Sequence, residues 1–72
     1  MKFRASVVNH RFVSFPNELL VTVGIEDEGM KSAEIVELRV IIEGSEEDLK
    51  SLSFAEIESL AIRRAKEILN LG

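Results

Sequence analysis

Leu52-Ser53-Phe54-Ala55-Glu56-Ile57 marks the start of the one long helix in the chain. Ser53 is placed to accept from a free amide of the first turn, and Glu56, three residues on, to accept from the Ser53 amide in return. Leu52 and Ile57 stand at the spacing of a hydrophobic staple. From this point Phe54, Ile57, Ala61, Ala65 and Ile68 recur at helical spacing. The pattern predicts a helix from Phe54 to about Leu69, with Asn70 or Gly72 suited to its C-terminal cap. Leu60 and Leu71 widen the apolar stripe on one side, and Ala55, Ile62 and Leu69 on the other. The resulting arc is more than twice the ~100° typical of a surface helix. Glu58 and Arg64 fall inside it, where a charge needs a partner or a place at the rim.

Upstream of the helix the period changes from helical to alternating. Phe3, Ala5 and Val7 alternate with Lys2, Arg4 and Ser6, the pattern of a half-buried strand. Leu19, Val21, Val23 and Ile25 define a second strand, and Val36, Leu38, Val40 and Ile42 a third. Between the second and third, Glu26-Asp27-Glu28-Gly29 reads as a turn in which Gly29 can supply a positive φ. Gly44-Ser45 closes the third strand, and Ser45 to Leu49 suits a short helical turn with acids at its N-terminus. The expected fold is α+β: one domain over residues 1–72, a three-stranded antiparallel meander with a C-terminal helix packed on one face, in β-β-β-α order. On the other face of the sheet, Leu20, Ile35 and Ile41 sit among charges. Together with Ile62 and Leu69 on the flank of the helix, they are the candidate self-association residues.

Seventy-two residues support one thin core. A chain this small is usually reinforced by disulfides, a metal or a partner subunit. There is no cysteine, and one histidine, His10, makes a structural zinc site a poor expectation. Self-association is therefore the expected supplement, and no cofactor or metal is expected. Met1 to Val8 carry Lys2 and Arg4 and no sustained apolar run, so neither a signal peptide nor a membrane anchor is expected, and the default location is cytoplasmic.

The net charge is −4 but unevenly spread: +3 over residues 1–17, −7 over 18–50, and balance thereafter. A general affinity for polyanions is not expected. The acidic runs Glu26-Asp27-Glu28 and Glu46-Glu47-Asp48 lack the alternating ligands of a calcium loop and read as solvated turns. His10 with Ser6 or Ser14 has no acid within the first seventeen residues to complete a triad, and there is no Gly-x-Ser-x-Gly elbow. The four glycines are scattered rather than gathered in a phosphate loop. No enzymatic activity is expected.

Asn9-His10-Arg11-Phe12-Val13-Ser14-Phe15-Pro16-Asn17 is longer than a tight hairpin needs, and it is basic and aromatic in an acidic chain. Structurally, Phe12 and Phe15 could close the open end of a small core. Functionally, His10, Arg11, Phe12 and Phe15 could face a protein partner, since interfaces concentrate aromatics and arginine. The alternative is weak nucleic-acid binding through Lys2, Arg4, His10 and Arg11.

The β-β-β-α order faintly resembles a double-stranded-RNA-binding domain without its first helix. That family carries lysines at the N-terminal end of the last helix, where this chain has Glu56 and Glu58. The Leu52-Ser53 to Glu56-Ile57 start, followed by alanine-spaced helix positions, also resembles small accessory proteins encoded by phages and prophages. That resemblance covers the last third of the chain; some such proteins act by binding a host protein, and it assigns no site residues.

Overall fold

The structure, a computed structural model, describes residues 1–10 and 14–70. Three strands, β1 (Lys2–Asn9), β2 (Glu18–Glu26) and β3 (Val36–Glu43), form an antiparallel sheet in the order β1-β2-β3. They are followed by α1 (Glu46–Ser51) and α2 (Phe54–Ile68). The α+β class and the meander-then-helix order agree with the alternating and helical periods of the sequence.

Residues of one parity in β2 and β3 point toward α2 and form the core. Leu19, Val21, Val23, Ile25, Val40 and Ile42 are buried, and they meet Ile57, Ala61 and Ala65 of the helix. The two alanines are wholly buried. Their small side chains let the helix backbone approach the sheet closely, which interior packing density demands. Leu49 of α1 joins the same cluster. Ser45 caps α1 by accepting from the Asp48 amide at 3.2 Å, and Ser53 starts α2 with the expected capping box. Asn70 takes a left-handed φ of 58° just past α2, a conformation that asparagine tolerates better than most residues.

Three local expectations change. In β1, strict alternation would bury Val7. The ladder instead shifts between Ala5 and Val7, so that Val7 pairs with Thr22 and Val8 with Val21. A β-bulge at Ser6 thus turns Val7 outward and Val8 onto the core, and the Ser6 hydroxyl donates to the Thr22 carbonyl at 3.3 Å. In the β2–β3 connection Gly29 takes no left-handed conformation. The Asp27 side chain accepts from the Glu28 amide, and its carbonyl accepts from the Met30 amide, so the turn closes without positive φ. In α2, Phe54 and Ile68 are 57% and 47% exposed although they lie on the stripe of Ile57, Ala61 and Ala65. A sheet twists away from a straight helix at both ends, so only the middle of the stripe is covered.

Candidate interaction surface

The outer face of the sheet, opposite α2, carries a charged middle between apolar ends. Across β2 and β3 the outward pairs are Leu20 with Ile41, Thr22 with Arg39, and Gly24 with Glu37. Ile35 lies one position before β3, and its side chain folds over Gly24, with its Cδ1 3.2 Å from where a Cβ would stand. Gly24 is therefore buried on a face that is otherwise open. Beside it, Lys2, Arg4, Ser6, Glu26 and Ile35 rim a shallow hollow of about 460 Å³.

The two edges of this sheet are finished differently. At β1, the Ala5 amide donates to the Glu58 carboxylate of α2 at 3.0 Å. This bond explains why an acid sits inside the apolar arc of the helix. Glu58 is half-buried and supplies the acceptor that an edge amide otherwise lacks, while Arg64 is exposed at the rim. The Lys66 ammonium lies 5.4 Å from the centre of the Phe3 ring and covers the same margin. At β3, among the described residues, no side chain or loop is hydrogen-bonded to the strand's free edge.

The Ala5 bond also fixes which amides face outward. In an antiparallel ladder, residues alternate between bonding one neighbour and facing the other way. Ala5 faces away from β2, so Arg4 bonds Gly24, and β2 must offer Val23 and Ile25 to β3. Their partners Leu38 and Val36 therefore bond inward. The Gly44 amide, which donates to the Asn17 carbonyl at 3.1 Å, continues the same parity. Glu37, Arg39 and Ile41 consequently present their amides and carbonyls to solvent along the β3 edge.

The candidate residues fall into separate places. Leu20 and Ile41 are cross-strand neighbours on the outer face. Ile35 is on the same face, six residues along the strand from Ile41, or roughly 20 Å. Ile62 is half-buried against the core, and Leu69 is exposed at the C-terminal cap of α2, both in the helix layer. The five residues do not form one patch on a single copy. Of the loop residues, His10 and Phe15 are exposed, and Arg11 and Phe12 lie outside the described residues. The end of the core from which this loop springs is packed by Leu49, with Leu52 against it. Lys2 and Arg4 sit near one end of β1, and His10 lies just beyond the other, roughly 20 Å away at strand rise.

Two carboxylates of the acidic runs are paired locally. Asp27 lies 3.6 Å from the N-terminal ammonium, and Glu46 is 3.0 Å from Lys50. Among the described residues no group of three or more His, Asp or Glu side chains is placed to hold a metal ion. No described helix is long and apolar enough to cross a membrane. The Glu56 carboxyl titrates below its ordinary value, because the Ser53 amide and then the Ser53 hydroxyl stabilise its charged form.

No protein-family model matches the chain, and neither curated proteins nor solved structures give a significant match.

Proposed function

We propose that this protein is a small non-enzymatic interaction module that self-associates and, in that state, binds a protein partner. The observation that carries the proposal is the unfinished surface of so small a domain. Ile35, Val36 and Ile41 are 52%, 50% and 39% exposed along the one sheet edge that nothing caps among the described residues. Burying these side chains against a second copy would contribute roughly 25 cal/mol per Å² of apolar area removed from water.

The exposed His10 and Phe15, flanking Arg11 and Phe12, form the proposed contact for the second protein. Loops on a rigid scaffold often carry such contacts. The accessory role suggested by the helix start remains part of this proposal. A cysteine-free chain fits a reducing compartment, and the cytoplasm is the proposed location.

Light scattering during gel filtration tests self-association. The expected result is a dimer or larger species at tens of micromolar, with a melting temperature that rises with concentration. A monomer whose melting temperature ignores concentration would overturn it.

A further inference from the structure

We infer that the partner of the β3 edge is the β3 edge of a second copy, paired antiparallel about a two-fold axis at Leu38. The inference rests on the self-association proposed above and specifies its geometry. Backbone pairing at a free edge carries no sequence preference of its own, so among registers of the right parity the side chains must choose. Only registers that oppose odd-numbered residues satisfy both edges, because those residues face outward on each copy.

Among these registers, one is complementary throughout. With the axis at Leu38, Glu37 of one copy opposes Arg39 of the other, twice over. Val36 opposes Val40 on the helix side, and Ile35 opposes Ile41 at both ends of the outer face. Opposite charges and apolar pairs directly across a ladder stabilise it, and like charges there oppose it. Three neighbouring registers fail on this ground. An axis at Glu37 sets that acid against itself, an axis at Arg39 does the same for arginine, and an axis at Val40 pairs Glu37 with Glu43. An axis at Ile41 pairs Arg39 with Glu43 but carries the second strand past Gly44, which is tied to Asn17 where the chain turns into α1.

This register also explains a feature that one copy leaves unaccounted for. Ile35 and Ile41 stand at opposite ends of a charged stripe, too far apart to cover each other. The two-fold axis brings Ile35 of each copy beside Ile41 of the other, next to Leu20 of that second copy. Two three-stranded sheets become one six-stranded sheet, and an isologous contact of this kind closes as a dimer.

Single cysteines in this cysteine-free chain test the register. Leu38 on the axis meets its own copy in a non-hydrogen-bonded pair, with Cα atoms about 4.5 Å apart, inside the range a disulfide spans. Under mild oxidation the Leu38→Cys protein should become mostly covalent dimer, and Glu37→Cys, Arg39→Cys, Val40→Cys and Ile41→Cys should lag well behind. Charge reversal gives a second readout that does not depend on a half-buried position. Glu37→Arg and Arg39→Glu should each weaken the dimer by about tenfold or more, and an equimolar mixture of the two should recover it as a heterodimer. Preferred cross-linking at Glu37, Arg39, Val40 or Ile41, or no recovery on mixing, would overturn the register. Absence of cross-linking at all five positions in a protein that still scatters as a dimer would remove β3 from the interface and leave self-association standing. A monomeric wild-type protein would remove both.

Discussion

Glu58 shows how one side chain settles an edge. Its position four residues into α2 lets it reach across to β1, and the 3.0 Å bond to the Ala5 amide replaces the water that amide would otherwise hold. Hydrogen bonds to charged groups contribute about 1.5–3 kcal/mol when the site is sheltered, and partial exposure of this one sets the expectation near the lower end. Glu58→Ala should therefore lower unfolding stability by about 1–2 kcal/mol, read as a shifted urea midpoint with unchanged slope. An unshifted midpoint would mean that solvent caps the edge equally well.

Glu56 adds a pH dependence. Its carboxyl is held below the ordinary 4.5 in the folded chain by the Ser53 amide and hydroxyl. A lowered folded value means the contribution is complete above the unfolded value and is lost as pH falls through the folded one. The wild-type urea midpoint should therefore decline on acidification below about pH 4.5 more steeply than that of Glu56→Gln. The amide keeps an acceptor for the capping box and cannot titrate. Identical acid profiles for the two proteins would contradict a charged cap.

At the scale of elements, α1 has six residues, too few for an independent helix. It persists because Leu49 is buried in the core cluster beside the strand ends. Leu49→Ala should cost about 2–4 kcal/mol through lost burial and the cavity left behind, measured by chemical denaturation. A loss below 1 kcal/mol would show that α1 sits loosely on the sheet. Here the sequence was a mixed guide. The Ser53-to-Glu56 signature and the alternation in β2 and β3 located their elements because each is a local pattern. The bulge at Ser6 was not legible, since Val7 and Val8 are equally apolar and only the pairing partner decides which turns inward. The exposed ends of α2 escaped for a related reason: periodicity reports a stripe but not how far a twisted sheet follows it. Glu58 stood out as a charge in an apolar arc, yet its partner is a backbone amide 53 residues away, which no side-chain pattern announces.

For the whole molecule, the asymmetry of the two sheet edges organises everything else. On one edge a carboxylate from the helix takes the Ala5 amide, while the other presents a row of backbone groups with no hydrogen-bond partner among the described residues. Natural sheets usually blunt such a row with charge, a bulge or a covering element. In the proposed pairing the stripe Glu37-Leu38-Arg39 sets the register as well as guarding the edge. The candidate residues Leu20, Ile35, Ile41, Ile62 and Leu69 lie in two layers, because strand and helix periods show which face is apolar but not what that face meets. The outward parity of the β3 amides follows from the Ala5 bond to Glu58 and agrees with the Gly44 bond to Asn17.

Amide hydrogen exchange at Glu37, Arg39 and Ile41 tests this account most directly, because these three amides face away from β2 and can be protected only by something laid along the β3 edge. Pairing of two β3 edges predicts slow exchange at high protein concentration and release on dilution, while Leu38 and Val40, bonded inward to β2, stay protected throughout. Fast exchange at Glu37, Arg39 and Ile41 at every concentration would contradict it.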